Sequence, residues 1–365
     1  MNEFRLHVPR SDLDDLHARL AGARWPDELP GAGASDDYGI PLARVRALAA
    51  HWAAFDWRAH EEEWNALPQY VAEIGGDRVH FLHLRHPDPH AFPIVLTHGW
   101  PGSSVEFLDV VRPLAEHFHV VVPAIPGFGL SGPTTRPWGV RRVATAWAAL
   151  MSALGYSRYG AQGGDVGAGV SLHLAAVAPG EVAAVHVNYL PTPLPPGTPA
   201  SFGDSLSDAD RSRLAAITAF AARRHPHQIL FAATPQTPAY ALNDSPVGLL
   251  AFLAEKFDRW SDPSTPVPVD RVIADVAHHW LFRTAASSAR FFKETGLGAP
   301  PAPCRAPVGV AVLPADITRS VRPLATRRYT IPHWTEFPRG GHFAALEVPR
   351  LFTADVTTFF RTHAP

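Results

Sequence analysis

The sequence predicts a doubly wound α/β sheet that carries a helical insertion. Three observations support this. Short apolar runs alternate with amphipathic stretches along most of the chain, as in a parallel sheet flanked by helices. Residues 161–169, AQGGDVGAG, pass from an apolar run into a helical one through closely spaced glycines. Two Pro-rich stretches, PTPLPPGTPA at 191–200 and GAPPAPCRAP at 298–307, bracket a segment of purely helical periodicity. Such stretches can continue neither a helix nor a central strand.

Taken in order, SDLDDLHARLAGARWP (11–26) and PLARVRALAAHWAAFDWRAHEEEW (41–64) read as amphipathic helices ahead of the first strand. Strands are expected at FPIVLTHG (92–99), HVVVPAI (119–125), YGAQGG (159–164), VAAVHVN (182–188) and VGVAVLP (308–314), with a short one at PHWTEF. The longest are apolar on both faces, the pattern of buried parallel strands. Between the Pro-rich stretches, helices are expected over 205–224, with Ser207 or Asp208 as N-cap, over 245–260 and over 269–294. The chain therefore divides into an N-terminal wrapping region (1–75), an α/β core (76–190 and 300–365) and a helical cap (191–299).

The totals exclude several classes. In 365 residues, 46% are hydrophobic, 18% are charged and the net charge is -2, which fits a soluble globular enzyme. Arginines are scattered rather than striped, and only Lys256 and Lys293 are lysines, so no nucleic-acid partner is expected. Cys304 is the single cysteine, which rules out an intrachain disulfide and a cysteine-based metal site. Neither a leader-like apolar stretch nor a transmembrane run is legible, so a cytoplasmic protein without membrane association is expected. No metal or cofactor is expected, and a homodimer is left open.

The glycines of GGDVG give the spacing Gly-x-nucleophile-x-Gly, the elbow of an α/β hydrolase, with Asp165 at the place usually held by Ser. LTHGWPGSSVEF (96–107) ends a strand in a loop of the type that supplies half an oxyanion hole. The backbone N–H groups of Trp100 and Val166 would then converge on one oxygen. His342 follows two glycines in FPRGGHFAALEVP near the C-terminus, in the chain order nucleophile, acid, His. Asp316 fits best as the acid, because it directly follows a strand and would sit at the carboxyl edge of the sheet. Glu336, six residues before His342, is the rival.

Taken together, HGWPGS, PAIPGFGLSGP (123–133), GGDVG, ALNDSPVGL (241–249) and RGGHFAALE resemble the microsomal-type epoxide hydrolases. FDWRAHEEEWNALPQY (55–70) is similar to that family's N-terminal region. The resemblance implies Asp165 as nucleophile, His342 as general base, Asp316 as orienting acid, and Trp100 and Val166 as oxyanion donors. It also implies a reaction: an epoxide becomes a vicinal diol through an Asp165 ester, with water activated by His342 releasing it. A bulky substrate of specialised metabolism is expected.

Two departures stand out. The family protonates the opening epoxide with two cap tyrosines, and the matching positions here hold His227 and Phe292. His227, if protonated, would be a substitute acid, as would Tyr240 or Tyr189. The alternatives are a repurposed hydrolase performing elimination or rearrangement, and a non-catalytic small-molecule binder. A haloalkane dehalogenase would have Trp after the nucleophile to hold halide, where this chain has Val166.

Overall fold

The structure is a computed structural model that describes all residues except 35–36, 196, 199–200, 224, 297–303 and 364–365. Much of the second Pro-rich stretch, and residues 196 and 199–200 of the first, lie outside the described residues.

Nine strands form one sheet: β1 (Asn2–Glu3), β2 (Gln69–Ile74), β3 (Asp77–Leu84), β4 (Pro93–Thr97), β5 (His119–Pro123), β6 (Tyr159–Gly163), β7 (Val182–Val187), β8 (Val308–Val312) and β9 (His333–Glu336). Their order is β1-β2-β3-β5-β4-β6-β7-β8-β9. From β5 to β9 all neighbours run parallel, while β1, β2 and β3 add an antiparallel edge. Strands β4, β5, β6 and β8 are buried along their whole length, which is why their sequences are mostly apolar, with Thr97, His119 and Gln162 as buried polar exceptions.

The sheet thus extends into the N-terminal 75 residues, where only helices were expected. Strand β3, just beyond that region, was not expected either, and the reason there lies in buried polar side chains. His80 and His83 of β3 interrupt the apolar pattern, and each finds a partner inside the protein: His80 Nε2 lies 3.1 Å from Gln69 Oε1 and His83 Nε2 lies 2.8 Å from the Tyr156 hydroxyl.

The helices follow the periodicity with two divisions. The stretch 41–64 is broken into Leu42–Ala54 and Trp57–Asn65, because Asp56 caps the second helix by accepting the Ala59 N–H. The stretch 269–294 is likewise split into Val269–Leu281 and Ala285–Thr295, around Arg283 with φ +55°. Helix Asp208–Arg223 follows Ser207, whose hydroxyl accepts the Asp210 N–H. Helices Pro226–Ala233, Gln236–Asp244 and Pro246–Trp260 complete the segment facing the site. No helix among the described residues is long and apolar enough to cross a membrane.

One side chain ties three regions together. The Arg271 guanidinium, on the insertion, donates to Glu63 of helix Trp57–Asn65 at 2.7 and 2.8 Å. It also donates to Asp109 of helix Leu108–Ala115 at 2.7 and 3.1 Å.

Candidate active site

Register places the chemistry. Thr97 pairs with Gly163, Gly163 with Val187 and Val187 with Val310, so β4, β6 and β7 end level and β8 runs on to Val312. The loops that follow carry Trp100, Asp165, Tyr189 and Asp316 to one edge of the sheet, and His342 comes from the loop after β9.

At the elbow Asp165 has φ +47°, a left-handed conformation that L side chains rarely adopt. The turn requires bare backbone on both sides. A Cβ at Gly163 would lie 2.2 Å from the Gly167 carbonyl, and one at Gly167 would lie 1.9 Å from Thr97 O. Asp165 also opens helix Asp165–Val177, where the helix dipole favours an anion.

Trp100 N–H donates to Asp165 Oδ1 at 2.9 Å, and Val166 N–H hydrogen-bonds the same carboxylate. His342 Nδ1 lies 2.7 Å from Asp316 Oδ1, and its Nε2 lies 3.3 Å from Asp165 Oδ2. That second approach is too oblique for a hydrogen bond, leaving buried Nε2 without a partner in the protein. Glu336 is elsewhere: it is exposed on β9 and receives both arms of Arg213, at 2.9 and 2.7 Å.

The charges follow from this packing. Burial would lower the His342 pKa, but the Asp316 and Asp165 carboxylates beside it raise it to about 10. Burial would raise Asp165, yet the His342 charge and the Trp100 and Val166 N–H groups hold it below the usual carboxylate range. Burial pushes Asp316 upward against the pull of His342. The resting site is an ionised Asp165 next to an imidazolium.

Above it lies a cluster of rings. His227 stacks on Trp100 at 4.5 Å with 20° between planes, and His225 stacks on His227 at 5.3 Å. Phe292 stands edge-on to Trp100 at 5.3 Å and to His227 at 5.6 Å. Trp260 meets His342 edge-on at 5.3 Å. Tyr189 does the same at 5.2 Å, and burial together with the Asp316 and Asp165 charges keeps its phenol protonated. The structure therefore brings His227, Phe292 and Tyr189 to the site. Tyr240 is not among them: helix Gln236–Asp244 buries Ala239 and Leu242 and leaves Tyr240 72% exposed.

Protonated His227 does not survive as the expected acid. Burial, with Lys256 and His225 nearby, lowers its pKa to about 3, so the ring is neutral at working pH. Its Nε2 is buried without a partner in the protein, as is that of His225.

Sequence reasoning missed His225, Trp260 and Glu106. Glu106 is a carboxylate in the otherwise uncharged run GWPGSSVEF, and that position was its only signal. Among the described residues no group of three or more His, Cys, Asp or Glu is placed to hold a metal ion.

Residues 1–107 match the family described as epoxide hydrolase N terminus, and residues 93–227 match the alpha/beta hydrolase fold. A protein of Stigmatella aurantiaca named "Putative epoxide hydrolase" is 39% identical, over 98% of this chain and 84% of that one. The chain belongs to the epoxide hydrolase family. Epoxide hydrolase 1 of Sus scrofa is 28% identical over 98% of this chain and 87% of that one. The solved structure of Aspergillus niger epoxide hydrolase superposes with a TM-score of 0.89 at 30% identity, covering 99% of this chain and 96% of that one. The juvenile hormone epoxide hydrolase of Bombyx mori shares the fold at a TM-score of 0.90 and 24% identity, over 99% and 94% of the two chains. This member of the family thus has a mixed sheet and an α/β-hydrolase fold, with helices inserted between β7 and β8.

Proposed function

We propose that this epoxide hydrolase family member opens an apolar, ring-bearing epoxide to a vicinal diol. Asp165 is the nucleophile, His342 the general base and Asp316 its orienting acid, with the Trp100 and Val166 N–H groups as oxyanion hole. Residues 1–75, 76–190 with 300–365, and 191–299 are its wrapping region, core and cap. One observation carries the reading: an ionised carboxylate with Oδ1 in the hole and Oδ2 beside an imidazolium that Asp316 orients.

A carboxylate in this place can displace oxygen from a saturated carbon, which a serine hydroxyl in an acyl-transfer site does not do. Attack by Asp165 Oδ2 forms an ester and releases an alkoxide, a strong base that needs a hydrogen-bond donor. Phe292 cannot supply one. Neutral His227, with its buried Nε2 unpartnered over the site, can; a neutral imidazole serves as electrophile in other enzymes too. Esterification also removes the Asp165 charge, one of the two that hold the proton on His342. His342 then becomes a base. Over the cycle protons balance: the alkoxide takes up the proton that the His342 imidazolium releases, and ester hydrolysis returns one to His342, restoring the ion pair.

The test is covalent capture. His342→Gln incubated with styrene oxide should show, by intact-protein mass spectrometry, an adduct of the full substrate mass on the Asp165 peptide. Unmodified protein, with wild type turning the epoxide over, would refute the ester.

A further inference from the structure

The hydrolytic half of this reaction needs a water held against the Asp165 carbonyl carbon. Neither the elbow nor the hole provides for it. Next to Asp165 lies a cavity of about 10 Å³ lined by Glu106, Asn188, Asp165 and His342, with Phe107 and Phe343 closing it. That is at the lower edge of the roughly 10–15 Å³ that one water requires, and such a water needs two to four polar partners. The unpartnered His342 Nε2 is one such partner.

Glu106 is built to be another. It sits in the 3-10 turn Ser104–Phe107, and its carboxyl reaches back under the loop to accept the Gly99 N–H. The loop leaves room for it: a Cβ at Gly102 would fall 1.8 Å from Glu106 Oε1. One face of the carboxyl is thus fixed on backbone and the other lines the cavity.

We propose that Glu106 positions the water that hydrolyses the Asp165 ester, an assignment that rests on the covalent reading above. Burial pushes the Glu106 pKa well above the usual range, so it enters as a carboxylic acid. Its carbonyl oxygen accepts the Gly99 N–H and its O–H donates to one lone pair of the water. The water gives a hydrogen to His342 Nε2 while its other lone pair forms the bond to Asp165 Cγ. The tetrahedral oxyanion is held by Trp100 and Val166, and the bond from Cγ to the diol oxygen then breaks. The leaving oxygen takes the proton back from His342. The Asp165 carboxyl formed passes its remaining hydrogen to His342, which regenerates the resting pair.

The assignment separates two rate constants that a merely structural role would move together. In Glu106→Leu, hydrolysis of the ester formed from styrene oxide should slow by about 100-fold, the cost typical of a misplaced reactant, with alkylation slowed no more than about 3-fold. Ester should accumulate in the steady state, read by rapid quench and intact mass. Glu106→Gln presents an NH2 where the acid presents O–H, so it should keep hydrolysis within about 10-fold of wild type. Glu106→Met fills the same space with a flexible apolar chain and should repeat the leucine result if that variant does not fold. The assignment is overturned if the apolar variants hydrolyse ester at the wild-type rate, if alkylation falls in parallel, or if Gln is as slow as Leu. Failure of the covalent reading is distinguishable, because no ester mass would then appear in any variant, His342→Gln included.

Discussion

Replacing Asp316 by Asn tests the electrostatics of the site most directly. The rise of the His342 pKa from 6.5 to about 10 corresponds to about 5 kcal/mol of preference for the imidazolium. His342 is only 2% exposed at its side chain, so solvent screens little of this. Asp316 makes the largest favourable contribution, with Asp165 the other. In the ester intermediate the Asp165 charge is gone, and Asp316 alone faces the imidazolium that forms as water yields its proton. Asn leaves that cation buried without a counter-charge, a loss of about 3–5 kcal/mol. Ester hydrolysis should therefore slow by about 10²–10⁴-fold in Asp316→Asn. Alkylation should slow by about 10-fold at most, since Asp165 keeps both hole N–H groups. Single-turnover quench with intact-mass detection measures both steps, and Trp100 beside Asp165 offers a fluorescence signal in parallel. Hydrolysis within about 10-fold of wild type, or an equal loss in Glu336→Gln, would refute the assignment of the acid.

His227→Phe should slow alkylation of styrene oxide by about 10²–10⁴-fold, with His227→Tyr retaining it, in the same quench experiment. Wild-type alkylation should be level from about pH 5 to 9, because His227 is neutral above about 3 and His342 keeps its proton to about 10; a fall centred near 6.5 would restore protonated His227 as the acid. Asp275 is fully buried, Ser103 donates to its Oδ1 at 2.5 Å, and burial raises its pKa to about 8. The folded chain then holds a proton that the unfolded chain has released, so this stabilisation is full below about pH 4 and lost as pH rises to 8. Urea unfolding should show wild type losing about 1 kcal/mol or more relative to Asp275→Asn between pH 5 and 8.

What the sequence made legible was whatever local chemistry alone decides. Strands β4 to β8 could be placed because they are almost wholly buried, so apolar residues outnumber the single buried polar one in each of β4 to β7. Asp316 could be preferred over Glu336 because it follows β8 directly, and a carboxylate there has to sit at the carboxyl edge. Strands β2 and β3 were obscured by His80 and His83, whose partners Gln69 and Tyr156 lie far along the chain or across the sheet. The break at Asp56 depended on one capping hydrogen bond competing with continuous helical periodicity. Tyr240 illustrates a different limit: composition offers a phenol, but which side of a helix is covered depends on neighbours the periodicity does not name. Glu106 could not be told from the other acidic residues, since its significance comes from Gly99, Gly102 and His342 meeting around it.

Trp100 presents two different parts of itself to two different tasks. Its amide holds Asp165, and its indole is the floor on which His227 and Phe292 rest. Under the proposed ester mechanism, substrate range and ester chemistry therefore share one residue on the core side, and adjusting the floor disturbs the proposed hole. The opposite wall is unconstrained in this way, because His227, Phe231, Phe252 and Phe292 all belong to the inserted helices and none of them touches Asp165 through its backbone. New substrate preferences are thus accessible by changing the wall while the floor stays fixed. Libraries that randomise these four positions should yield far more variants of altered enantiomer choice with intact ester turnover than libraries of equal size centred on Trp100.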